Sequence, residues 1–170
     1  MSQHRETIMR QGSTAMGVVT FLGAVLCMAV TQAKDFPFDY TYCHSGSTIV
    51  VSASKDLTVS SSESRGIIRS NIADKTLENH TFHCVGVGRS GEQSANHGYC
   101  KVMSPDGDFW VAEYAREDTE DFTWKALQGT GRWQGITGGG TFRTITQGKP
   151  ITPGTFQNCG RATGKFTLPD

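Results

Sequence analysis

The sequence predicts an all-β fold: a single antiparallel meander closed into a small barrel of roughly eight strands, with a β-sandwich as the alternative. Three observations predict it. The 170 residues include 20 glycines, and the texture is rich in Ser and Thr, which favours short strands and tight turns. Segments of β-branched or aromatic residues arrive at short intervals, each followed by turn residues. Nothing in the chain reads as a strong helix after the first 33 residues. Closure is preferred over a sandwich because it leaves no exposed strand edge.

Residues 1–33 read as a cleavable leader. Arg5 and Arg10 precede an apolar stretch from Met16 to Val30 that is short for a spanning helix, which wants about 20 residues. Thr31 and Ala33 supply small groups at the right spacing for cleavage after Ala33, so the mature chain would start at Lys34 and form one domain over 34–170. Leu26 before Cys27 is not the small residue a lipid-anchor signal needs. An uncleaved anchor is the alternative. Export predicts a periplasmic or secreted protein with no stable membrane insertion after cleavage.

Within the expected domain, Thr48-Ile49-Val50-Val51-Ser52, Leu57-Thr58-Val59-Ser60 and Gly66-Ile67-Ile68-Arg69 are the first strand segments. Residues 71–79 read as a loop or a short helix. His80 to Gly88 and His97 to Met103 form a hairpin about the polar turn 89–96. Ser104-Pro105-Asp106-Gly107-Asp108 is a turn by composition. In the next strand Trp110, Ala112 and Tyr114 share one face, while Phe109, Val111 and Glu113 share the other. Thr123 to Leu127 opens a glycine-rich third that runs to Phe142, and Gly164 to Pro169 reads as the closing strand. A phosphate-cradling loop needs a helix after its glycines, and none follows Gly140; these glycines instead permit close backbone approach.

Cleavage would leave Cys43, Cys84, Cys100 and Cys159, an even set suited to an oxidising compartment. Four cysteines allow three connectivities. The hairpin favours Cys84 with Cys100, leaving Cys43 with Cys159 to tie the first strand to the end of the chain. A metal site drawing on these thiols with His44, His80, His83 or His97 is not expected: there is no Cys-x-x-Cys, and residues 80 and 83 fall on opposite faces of a strand. Asn79-His80-Thr81 fits the N-glycosylation pattern, which matters only in a eukaryotic secretory route.

The glycine-rich run Gly129 to Phe142, together with the terminal Gly164-Lys165-Phe166-Thr167-Leu168-Pro169, resembles the end of the small barrels related to allene oxide cyclase and dirigent proteins. The resemblance implies an eight-stranded antiparallel barrel with a central cavity, often in oligomers. No catalytic residue of those families maps onto this chain, and four cysteines depart from their pattern.

Lys+Arg and Asp+Glu are equal at 16 each, so no global field points to nucleic acid or anionic lipid. No cofactor is expected. Trp110, Tyr114, Trp124, Trp133 and Phe142 are the residues expected to line a ligand cavity, if they do not simply pack the core. Glu113 would act as a general acid or base only if it faced inward; Trp110 and Tyr114 are better suited to that face. There is no nucleophile elbow. The leading expectation is a non-enzymatic exported barrel that binds a small apolar or amphipathic ligand, or a protein partner or second copy. A cyclase- or isomerase-type barrel enzyme, and a structural or interaction module of a secreted or envelope assembly, are the alternatives.

Overall fold

Eight antiparallel strands follow one another around a closed barrel, and the last pairs with the first. The computed structural model describes residues 33–118 and 121–169. In chain order the strands are β1 (Lys34–Ala53), β2 (Leu57–Ser70), β3 (Thr81–Gly91), β4 (Ala95–Met103), β5 (Phe109–Glu117), β6 (Phe122–Gly129), β7 (Thr137–Gly148) and β8 (Thr155–Leu168). A single 3-10 turn, Gly131–Trp133, interrupts the β6–β7 connection. Closure excludes the sandwich. Most of the expected leader, with Cys27, lies outside the described residues.

All three of the first expected segments are parts of longer strands. Thr48–Ser52 is the far end of a 20-residue β1. Leu57–Ser60 and Gly66–Arg69 belong to one strand, β2, joined by Ser61 to Arg65. The first half of β1 carries a two-residue alternation: Phe36, Phe38, Tyr40, Tyr42 and His44 on one side, with Asp35, Asp39 and Thr41 among those on the other. Pro37 does not break it. Pairing with β2 begins only at Tyr40, so at residue 37 one side of β1 has no neighbour for an N–H to reach. Residues 71–79 contain turns and no helix.

The two segments that carry the resemblance lie side by side: Gly138 is opposite Phe166 and Gly140 is opposite Gly164. Cys84 and Cys100 face each other across β3 and β4, and Cys43 and Cys159 across β1 and β8; both pairs form disulfides. The first bridge points into the barrel, and the second lies on its outer face, where Cys43 is exposed.

One end of the barrel is plugged. Leu77 and His80 from the β2–β3 connection, Trp133 and Ile136 from the β6–β7 connection, and Phe166 of β8 are all buried there. Trp133 is fully buried, donates its indole N–H to Ser104 Oγ at 3.0 Å, and packs against Trp110, His80 and Phe166. It fills the floor because it sits in a turn, where strand alternation no longer decides direction.

Candidate functional site

Above that plug the barrel is not filled. A cavity of about 360 Å³ runs from Trp110 and Trp124 toward the end of the barrel carrying Thr48, Ser60, Asn96 and Phe156. That size lies in the range of small-molecule sites, which run from about 300 to 1,000 Å³. The space exists because several inward positions carry no side chain. A Cβ at Gly86 or Gly98 would overlap the Tyr114 hydroxyl, and one at Gly160 would overlap that of Tyr42. Large residues on one strand thus lie across glycines on the next, which lets the rings lean along the wall.

The wall is graded. Deep in the cavity Trp110 stacks on Trp124 with ring centroids 5.3 Å apart, beside Tyr40, Ile68, Val102 and Ala112. The middle is aromatic, with Tyr42, Phe82, Tyr114 and Phe142, together with the Cys84–Cys100 bridge. Higher up the wall turns polar. Ser60, Ser62 and Ser64 form a ladder on β2, and His44, Asn96, Arg116, Thr144 and Asn158 stand on other strands. Among the described residues no Asp or Glu lines the cavity.

His44 reaches Asn158 through Nε2, while its Nδ1 is buried without a partner. Burial lowers the His44 pKa and keeps the ring neutral, against the opposing pull of the Asn158 contact. Burial also pushes the Tyr42 phenol up to about 12 and raises Tyr40 and Tyr114, so all three hydroxyls stay protonated at neutral pH. The wall therefore offers neutral donors, one neutral imidazole and one guanidinium.

Of the residues expected in the cavity, the structure brings Trp110, Tyr114, Trp124 and Phe142 to its wall. Trp133 is the correction: it lies outside the lining, beneath Trp110. Glu113 points outward as its strand alternation requires, and binds Lys125 Nζ at 2.7 Å and His97 Nε2 at 2.8 Å. His83 is also outside, 2.8 Å from Glu63. Among the described residues no group of three or more His, Cys, Asp or Glu is placed to hold a metal. Sequence reasoning missed Tyr42, His44, Phe82, Phe122 and the β2 serines. The β1 alternation pointed to the first two; Ser60 to Ser64 gives no such signal, because Ser61 is polar as well.

The outer ion pairs and the buried histidines make stability depend on pH with one sign. Arg161, then Asn71, hold the Asp39 carboxyl down at about 2, and Lys125, then His97, do the same for Glu113. These folded values lie below the ordinary 3.8 and 4.5, so their contribution is present above those values and is lost as pH falls toward 2. His44 and His80 are depressed below 6.5 mainly by burial, so theirs is present above 6.5 and shrinks as pH falls below it. Urea midpoints are expected to decline in two stages on acidification. A midpoint that stays flat from neutrality down to the carboxylate range would contradict the histidine stage.

With this geometry in view, comparison with solved structures defines the class: the chain is a closed eight-stranded barrel of the dirigent-like fold. It is similar to a pterocarpan synthase dirigent protein at a TM-score of 0.53 and 9% identity, over 82% of this chain and 93% of that one. A second pterocarpan synthase dirigent protein aligns at 0.49 and 11% identity, over 81% and 96%. No protein-family model and no curated protein sequence matches the chain.

Proposed function

We propose that this barrel takes one small amphipathic molecule into its cavity, apolar end down. The observation that carries the reading is the graded wall: an aromatic floor around Trp110 and Trp124 rising to a rim of hydroxyls, amides and one guanidinium. An interaction module would have no need of a barrel left open above its plug. The dirigent-like fold adds support, since a neighbour of that fold is named as a pterocarpan synthase dirigent protein. Two disulfides suit an oxidising compartment, and among the described residues no helix is long and apolar enough to cross a membrane. β1 begins at Lys34, so cleavage after Ala33 would leave the barrel whole.

The test is a titration with N-phenylnaphthylamine, a neutral apolar probe, exciting Trp110 and Trp124 and reading energy transfer to the probe. Saturation at one probe per chain is expected. Ala112→Leu, which adds bulk to the cavity wall, should weaken binding by about tenfold or more while far-UV circular dichroism is unchanged. Absence of saturable binding would sink the reading.

One observation favours a second reading, an isomerase- or cyclase-type enzyme. His44 is a neutral base on the wall of a preformed cavity, oriented by Asn158. In that case His44→Gln would abolish turnover of the bound molecule and leave its affinity nearly unchanged.

A further inference from the structure

The cavity has a sign as well as a polarity gradient. Arg116 lies on β5 opposite Asn96 of β4, and both side chains line the polar part of the wall. The guanidinium carbon sits 4.4 Å from the centroid of the Phe122 ring, and Phe122 in turn stacks on Phe142 at 4.6 Å and 10°. Stacking holds a guanidinium by its face and leaves its in-plane N–H edge available, and that edge matches a carboxylate.

Among the described residues no acidic side chain in the lining competes for it. The cavity wall carries no carboxylate among the described residues, and none of their Asp or Glu side chains forms an ion pair with Arg116. None of the described acids near Arg116 pairs with it: Glu117, the next residue on β5, alternates to the outer face and is exposed, Asp118 and Asp121 are exposed too, Glu113 pairs outside with Lys125 and His97, and Glu63 with Arg65 and His83. Its Nε is buried without a partner, so the group has already lost water on one side. A cation in this position favours an anion over a neutral molecule of the same shape.

The aromatic wall narrows the rest of the ligand. Tyr42, Phe82, Tyr114, Phe122 and Phe142 present ring faces and edges around the space between Arg116 and the Trp110–Trp124 stack. Flat rings gain more from such walls than a flexible chain does, because they lose less conformational freedom on entry.

We propose that the ligand is a flat aromatic anion, its carboxylate paired with Arg116 and its rings inserted toward Trp110 and Trp124. This rests on the ligand-binding reading above, and the experiment separates the two. The purified, disulfide-intact protein is titrated by calorimetry with naphthoate and with naphthamide, which share a shape and differ in charge. Wild type should bind naphthoate about tenfold more tightly or better. Arg116→Gln should erase that preference, bringing the two affinities within about twofold by weakening naphthoate alone. Arg116→Lys, which keeps the charge and loses the fork, should fall between. Equal binding of both compounds by wild type, or a preference that survives Arg116→Gln, would overturn the anion assignment while leaving the cavity's role standing. Binding of neither compound by a normally folded protein would overturn both.

Discussion

Replacing Cys43 and Cys159 together with serine is expected to lower the free energy of unfolding by about 4–5 kcal/mol, the largest loss from removing either bridge. The two cysteines are 116 residues apart in sequence, and their bond joins the first strand to the last, across the seam where the barrel closes. A cross-link over so long a loop removes much of the freedom of the unfolded chain. Cys84 and Cys100 are only 16 residues apart in a hairpin that the β3–β4 turn already keeps local, so their replacement should cost about 3 kcal/mol. Guanidinium denaturation of the two double variants beside the oxidised wild type would give the order. A larger loss from the hairpin bridge would show that packing of its sulfurs in the cavity wall outweighs loop closure.

The plug supplies the second large effect. Trp133→Ala should cost about 3–5 kcal/mol, because it removes a fully buried indole from beneath Trp110 and leaves a void among rings held by the rest of the floor. Trp133→Phe should cost less, about 1–2 kcal/mol, chiefly for the lost hydrogen bond to Ser104. Ser104 Oγ still donates to the Asp108 carbonyl at 2.8 Å, so its hydroxyl is not stranded. Thermal and denaturant melts of the pair check this. A Trp133→Ala variant as stable as wild type would mean that the floor is loosely packed and that the cavity continues through it.

Strand alternation carried much of the fold in the sequence. Phe109 to Ala115 declares both faces, and the structure places Trp110, Ala112 and Tyr114 inside with Glu113 outside. The Cys84–Cys100 hairpin was readable because its two cysteines lie on strand-like segments either side of a polar turn. Closure was readable as the better way to hide edges and from the resemblance of the glycine-rich run 129–142 and of 164–169 to the ends of small barrels. The candidate site was less legible. Trp133 looks like the other large aromatics, but a turn rather than a strand aims it, and composition does not separate floor from wall. The serines of β2 line the cavity without announcing it, since both faces of that stretch are polar. Arg116 gives no signal in sequence, because its role depends on Phe122 from the next strand coming to lie under its guanidinium.

Native mass spectrometry of the protein, purified under mild conditions from the cells that make it, reads the occupancy of the cavity itself. The expected mass equals the two-disulfide chain plus one small molecule, released on unfolding and absent from the Ala112→Leu variant. A ligand-free mass in every preparation, with no apolar or anionic aromatic compound retained on addition, would contradict ligand binding.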